Sequence, residues 1–434
     1  MSRVRMSRVF RRAGVAALAF ALLAGAGEPG TAFAGSRVVP EAVAVQDRPD
    51  LQEAIQTIVD SGITGVQLRV HDQRSDWVGS AGLRKLGEAA KPPADGRFRV
   101  GSVTKTFTAT VVLQLVAEGK IGLDAPAADY LPQSGVDRRV TVRMLLQHTS
   151  GLFNFTGEYY PDGTVVPGIP WSGKEWVDNR FHTYRPEELV RFALSKPARF
   201  APGTDWSYSN TNYVLARLLI EKVTGRSYAA VMQQRLLGPL GLRDTSAPGT
   251  SPAILGPHAH GYYRYQDAGQ WKTVDIARQN PSWISSAGDM ISTTRDLHTF
   301  FSALLGGRLL PPPLLAEMLK PHPVSDYGLG VFTLRPDSNC SGTTLINHNG
   351  GVQGYATAMY STLDGSRTLE ASLTYVDAVV PPAEAMQKAL QSLISEVFCD
   401  GEVGGAESAR STEQTIPDSC TSSAGSSQYS GRAW

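Results

Sequence analysis

Strand-like alternation reads near the two ends of this chain, with a long helical block between, and that order restricts the folds open to it. Residues 65–71 alternate apolar and polar side chains, and 77–83 are placed to pair with them as a hairpin. A helix over 51–60 precedes them. From residue 102 to about 242 the pattern is helical, punctuated by glycine and proline. It includes 102–118, where Phe107, Val111 and Leu115 form a stripe, and 212–223 ahead of Gly225. Alternation returns at 327–334, 343–347, 355–361 and 368–375, before a last helix over 382–398. The expectation is an α+β fold with an antiparallel sheet formed from both chain ends, flanked by helices. A mainly helical lobe is inserted at about residues 120–285. A small ligand would sit in the cleft between the two.

Of 434 residues, 42% are hydrophobic, enough for one large core or two packed lobes. Arg3, Arg5, Arg8, Arg11 and Arg12 precede an apolar stretch and then Ala32-Phe33-Ala34. Charged, apolar, then small-x-small is the order of a secretory signal peptide, cut here after Ala34, so the protein is expected to be secreted. The apolar stretch is shorter than the roughly 20 residues a membrane span needs. The Arg11-Arg12 pair leaves the export route open between general secretion and the twin-arginine system. Removing residues 1–34 takes away five arginines and Glu28, moving the formal charge from +1 to about −3. No basic patch remains for nucleic acid, and no second long apolar segment supplies a permanent membrane anchor. Residues 401–434 are rich in Gly, Ser and Thr and read as a disordered tail, leaving 35–400 as the globular domain. The Gly25-x-Gly27-x-x-Gly30 pattern lies inside the signal region and follows no strand, so it carries no dinucleotide reading.

Ser102-Val103-Thr104-Lys105 is the single Ser-x-x-Lys, at the start of the first long helix. Residues three apart share a helix face, so the Ser102 hydroxyl and the Lys105 amine point into one space. The helix start adds free N–H groups and partial positive charge for a developing oxyanion. A serine hydroxyl needs a proton acceptor, and a desolvated lysine can serve. Tyr208-Ser209-Asn210 precedes the 212–223 helix. A nearby ammonium would favour the Tyr208 anion, making it a proton relay, and Asn210 could accept from Lys105 while donating to a substrate carbonyl. His348-Asn349-Gly350, followed by Gly351, falls in the strand-rich end. Glycines there would let a substrate lie against a strand edge, with the Gly351 N–H as a second oxyanion donor beside that of Ser102. Taken singly, each motif also reads as an ordinary helix cap or strand end.

The ordered set Ser-x-x-Lys, Tyr-Ser-Asn, His-x-Gly resembles the penicillin-recognising serine enzymes, in the branch shared by class C β-lactamases and low-molecular-mass D-alanyl-D-alanine carboxypeptidases. Four longer stretches look like the secreted carboxypeptidase type. They are 97–105 (Arg-Phe-Arg-Val-Gly-Ser-Val-Thr-Lys), 146–152 (Leu-Gln-His-Thr-Ser-Gly-Leu), 208–213 (Tyr-Ser-Asn-Thr-Asn-Tyr) and 350–355 (Gly-Gly-Val-Gln-Gly-Tyr). The resemblance implies the β-lactamase/transpeptidase-like fold and a Ser102 acyl-enzyme made with Lys105 and Tyr208. It also implies substrate contacts from Asn210, His348, Asn349, Gly350 and Gly351, and a side-chain pocket of Trp283, Gln353 and Thr164. A Cys340–Cys399 disulfide and a trimmed tail belong to the same type. D-alanyl peptides of peptidoglycan and β-lactams would be the substrates and ligands of a monomeric enzyme without cofactor. Two departures bear on substrate: Asn349 and Gly351 stand where that type commonly has Thr, and the segment 328–333 carries no arginine to receive a terminal carboxylate. A β-lactamase, esterase, D-amino-acid amidase or aminopeptidase on the same scaffold therefore stays open, as does a non-hydrolytic β-lactam or peptidoglycan sensor. His258-Ala259-His260 lacks an acidic or cysteine partner at metal-ligand spacing, so no metal site is expected.

Overall fold

The computed structural model describes residues 47–72, 76–160, 162–335, 343–376 and 382–399. The expected signal peptide, the tail, Cys340 and Cys420 lie outside the described residues, so the Cys340–Cys399 pairing stays an expectation. In chain order, α1 (Pro49–Asp60) leads into β1 (Gly65–His71), β2 (Asp76–Gly82), β3 (Phe98–Arg99), a 3-10 turn at Gly101–Val103 and α2 (Thr104–Ala117). The inserted block holds α3 (Ala127–Tyr130), α4 (Val142–Gln147), β4 (Gly157–Tyr159), β5 (Val165–Pro167), α5 (Gly173–Asn179), α6 (Pro186–Leu194) and α7 (Asn210–Thr224). It continues through α8 (Tyr228–Met232), α9 (Gly238–Leu240), β6 (Tyr262–Asp267) and β7 (Gln270–Asp275). Then come β8 (Ile291–Ser292), α10 (Thr294–Leu305), α11 (Pro312–Leu319), β9 (Phe332–Leu334), β10 (Leu345–Asn347), β11 (Gly350–Val352), β12 (Tyr355–Thr362), β13 (Thr368–Thr374) and α12 (Pro382–Phe398).

The main sheet runs β2-β1-β13-β12-β10-β9, with β11 also on β12, and every pairing is antiparallel. Both chain ends contribute, as the pattern of alternation predicts: Leu68 of β1 stands opposite Ala371 of β13, which in turn faces Ala358 of β12. The alternation marks two faces that are both covered. On one, Ala356, Ala358, Tyr360, Leu369, Ala371 and Leu373 pack with Leu51, Ile55 and Ile58 of α1 and Leu393 and Val397 of α12. On the other, Thr357, Ser361, Thr368, Glu370, Ser372 and Thr374 are polar yet equally buried, beneath elements that include α10.

Helix α2 departs from the expected one-sided stripe. Residues 104–113 and Leu115 are buried around its whole circumference. Its threonines are tolerated there because each hydroxyl is satisfied: Thr106 donates to the Gly330 carbonyl at 2.8 Å, Thr108 to that of Thr104 at 3.0 Å and Thr110 to that of Thr106 at 2.8 Å. Helix α7 packs on α2 through its buried Tyr213, Val214, Leu215 and Leu219 and ends at Gly225, whose φ of 64° suits a glycine. The inserted lobe is less uniformly helical than its sequence suggested. Two hairpins, β4–β5 and β6–β7, interrupt it, the second turning at Ala268-Gly269 with both φ angles positive. No helix among the described residues is long and apolar enough to cross a membrane.

Candidate active site

Three elements meet at Ser102. The 3-10 turn before α2 carries it, the N-terminus of α7 brings Tyr208 and Asn210, and β11 runs alongside. Glycine makes that third approach possible. A Cβ on Gly101, which has φ 52°, would lie 2.6 Å from the Gly351 nitrogen, and one on Gly350 would overlap the Val100 carbonyl and sit 3.0 Å from the Ser102 nitrogen. The backbone of β11 is thus pressed against the Ser102 turn, which brings the Ser102 and Gly351 amides to one place, as an oxyanion site requires.

Lys105 is completely buried, and its Nζ has three partners: Ser102 Oγ at 3.1 Å, Asn210 Oδ1 at 2.8 Å and the Ala287 carbonyl at 2.7 Å. Burial alone pushes its pKa well below the usual 10.5. In the neutral amine, two hydrogens go to Asn210 and Ala287, which can only accept there, and the lone pair is left facing Ser102. Tyr208 hydrogen-bonds Ser102, and its ring lies 4.7 Å from Lys105 Nζ. Burial drives its phenol pKa above 10, and its hydrogen bond with Ser102 offsets that only in part. This corrects the expectation of a tyrosinate beside an ammonium. Desolvation acts on both groups and favours the uncharged pair, an amine base and a phenol acid.

Asn210 accepts from Lys105 as expected. Its backbone N–H donates to Asn154 Oδ1 at 3.1 Å and its Nδ2 to Thr156 Oγ1 at 3.3 Å, leaving one amide hydrogen for a bound carbonyl. His348 is not at the cleft surface. It is buried, with Nδ1 donating to the Asn349 carbonyl at 2.7 Å and Nε2 receiving the Tyr327 hydroxyl at 3.2 Å. Burial lowers its pKa to about 3, so it is neutral. Asn349 turns its Nδ2 to the Tyr360 hydroxyl at 2.9 Å. Gln353 is buried and reaches across to the Trp171 carbonyl. Trp283 is buried in the core of the lobe, its indole N–H 3.4 Å from Gln279 Oε1. Thr164 is exposed in the β4–β5 turn, its N–H on Asp162, and no described hydrogen bond joins it to Ser102, Lys105, Tyr208 or Asn210. The threonine that touches this group is Thr156, at the start of the same hairpin.

Sequence reasoning missed Ala287, Asn154, Thr156, Tyr327 and His148. Only His148 carried a signal, inside the 146–152 stretch. It is buried, adopts φ 64°, and its ring centre lies 4.3 Å from that of Tyr208. Among the described residues no group of three His, Cys, Asp or Glu side chains converges on a common point.

Comparison with known proteins agrees with this arrangement. Residues 51–369 match the Beta-lactamase family. A D-stereospecific amidohydrolase from Streptomyces sp. is 36% identical and superposes with a TM-score of 0.70, over 82% of this chain and 100% of that one. A D-amino acid amidase from Ochrobactrum anthropi SV3 is 26% identical with a TM-score of 0.65, over 79% of this chain and 99% of its own. Among curated proteins, Penicillin-binding protein 4* of Bacillus subtilis (strain 168) is 26% identical over 326 residues, 70% of this chain and 68% of that protein. Other curated relatives are matched over only about half of their length. With a buried lysine facing its serine, a neutral tyrosine beside them and a family match over most of the sheet and lobe, the chain belongs to the β-lactamase/transpeptidase-like family of serine hydrolases, together with penicillin-binding proteins.

Proposed function

We propose that this protein is an exported hydrolase that opens the amide bond on the carboxyl side of a D-amino acid residue through a Ser102 ester. The observation that carries the chemistry is the Lys105 environment: a buried amine whose hydrogens are held by Asn210 and Ala287 and whose lone pair faces Ser102 Oγ. Lys105 takes the Ser102 proton as Oγ bonds to the carbonyl carbon. The resulting oxyanion lies against the N–H groups of Ser102 and Gly351. As the C–N bond breaks, Tyr208 gives its proton to the departing nitrogen and recovers one from Lys105. Water then attacks the ester, its proton passing to the same pair, and Ser102 is released.

The D-configuration is supported by the likeness to a D-stereospecific amidohydrolase and a D-amino acid amidase. Between a carboxypeptidase, whose leaving group is a D-alanine carboxylate, and an amidase, whose leaving group is neutral, the charges at the site favour the amidase. Lys105 is the one basic side chain that the described hydrogen bonds bring to Ser102 or Asn210, and burial favours its neutral form. His348 is neutral too. The segment 328–333, where the resemblance implies a carboxylate-binding arginine, carries none. The second reading, D-alanyl-D-alanine carboxypeptidase, is favoured by the likeness to Penicillin-binding protein 4*.

The deciding experiment gives purified protein D-phenylalanine amide, its L-enantiomer, diacyl-L-Lys-D-Ala-D-Ala and a fluorescent penicillin, with Ser102→Ala as control. Release of ammonia from the D-amide alone, lost in the control, supports the proposal. Free D-alanine from the tripeptide without amide turnover gives the carboxypeptidase reading. A stable penicillin adduct with no turnover of either would make the protein a β-lactam binder. Export is tested by the N-terminus of the protein recovered from culture medium, expected at Gly35.

A further inference from the structure

Tyr208 sits between two residues whose backbone N–H groups are both received by one side chain and its own carbonyl. The Ser207 N–H donates to the His148 carbonyl at 3.0 Å, and the Ser209 N–H donates to His148 Nδ1 at 3.2 Å. The Asn212 side-chain amide donates to the same Nδ1 at 3.0 Å, and its Oδ1 in turn receives the Ser150 hydroxyl at 2.6 Å. We infer that His148 is a positioning residue that brackets Tyr208, fixing the loop so that the phenol meets Ser102 while Asn210 meets Lys105. The inference rests on the acyl-transfer reading above.

The geometry determines the state of the ring. Nδ1 receives two N–H groups, so in the neutral imidazole the proton is on Nε2. That nitrogen is buried with no hydrogen-bond partner, and the imidazole packs against the rings of Tyr208, Tyr213 and Tyr327 at centroid-to-centroid distances of 4.3, 5.3 and 4.8 Å. Desolvation opposes a second proton. A histidine needed only for packing would not present one nitrogen to a backbone amide beside the proposed acid while leaving the other unpaired. The left-handed backbone at His148, with φ 64°, turns carbonyl and ring toward the same loop. Few residues other than glycine, asparagine and aspartate share that conformation readily.

Asparagine is the informative replacement, because its Oδ1 occupies nearly the place of Nδ1 and it tolerates positive φ. The test measures Ser102 phosphonylation by a fluorophosphonate, a probe independent of the natural substrate, in wild type, His148→Asn, His148→Gln and His148→Ala, with thermal midpoints alongside. Labelling is expected to fall about 10- to 100-fold in the alanine and glutamine variants, as small misplacements of reacting groups do, and to stay within about threefold in the asparagine variant. For turnover of the substrate found above, the loss is expected in kcat with KM little changed. Alanine labelling as fast as wild type in a folded protein, or asparagine no better than alanine at equal thermal midpoint, overturns the inference while leaving the Ser102 chemistry intact. A wild type that does not label at Ser102 overturns both.

Discussion

Lys105 Nζ lies 2.8 Å from Asn210 Oδ1, a contact that joins α2 to α7 across 105 residues of sequence. With the Ala287 carbonyl on its other side, the lysine has no freedom to turn its lone pair anywhere but toward Ser102. The site is therefore set by where three chain segments cross and not by the tetrapeptide alone.

The first prediction concerns that base. It works only when neutral, so activity rises with pH as Lys105 loses its proton and is lost as pH falls through the lowered pKa. Because burial brings that pKa well below 10.5 while Tyr208 is held above 10, a plateau of activity spans the interval between them. A pH profile of Ser102 phosphonylation checks this; an acidic limb centred in the ordinary lysine range would contradict the neutral amine. Lys105→Arg imposes a positive charge that cannot be lost, and is expected to lose about 1,000-fold in rate despite its size and reach.

Gly350 faces the Val100 carbonyl so closely that no Cβ fits. Gly350→Ala must push β11 off the Ser102 turn, costing about 1–3 kcal/mol of stability and separating the two oxyanion amides. The acylation rate is expected to fall by about 100-fold. Urea denaturation and fluorophosphonate labelling measure the two effects separately. A variant with wild-type labelling would show that the Gly351 N–H plays no part.

Glu158, whose side chain is 4% exposed, receives the Asn154 N–H at 2.9 Å and pairs with Arg199, and Asn154 in turn receives the Asn210 N–H. Desolvation raises the Glu158 pKa, and Arg199 offsets that rise. Arg199→Met leaves a buried carboxylate without its partner and is expected to cost about 3 kcal/mol. Adding Glu158→Gln keeps the acceptor for Asn154 and removes the charge, so most of that loss should return. A double-mutant cycle in urea reads this directly. Additive costs would mean that the two side chains do not interact.

The elements that repeat a local rule were legible. The spacing from Ser102 to Lys105, the alternation in β1, β12 and β13 and the Gly225 stop each follow from short-range geometry, and the structure contains them. What depended on burial was not. The anion expected of Tyr208 takes no account of burial, which raises the phenol pKa and reverses that preference, whereas a desolvated Lys105 is what the sequence reading expects. His348 is expected from the resemblance to contact substrate, but it is buried and hydrogen-bonded to Tyr327, twenty-one positions earlier. Thr164 is implied only by the resemblance, and nothing in the sequence around it says that Thr156, eight residues earlier, is the threonine that meets Asn210. The β6–β7 hairpin was hidden inside a stretch judged by its helical neighbours, although Tyr262, Arg264 and Gln266 alternate with its other residues.

Asp289 supplies the last prediction. Its carboxylate is fully buried behind the loop that presents Ala287 to Lys105, and neither oxygen has a hydrogen-bond partner. Desolvation raises its pKa to about 6, and the charges of Arg217 and Arg99 offset that only in part. A carboxyl whose folded pKa exceeds the unfolded value of 3.8 binds its proton more tightly in the native state. Stability is therefore lost as pH rises from about 4 through 6, and the penalty is complete above that. A pKa raised from 3.8 to about 6 corresponds to about 3 kcal/mol. Asp289→Asn removes the charge at nearly constant volume, so it should exceed wild type in stability by up to that amount at pH 8 and match it near pH 4. Urea midpoints at the two pH values decide the matter. A constant difference between the proteins across that range would mean that Asp289 does not titrate there, and that the loop behind Lys105 tolerates the buried charge by some other contact.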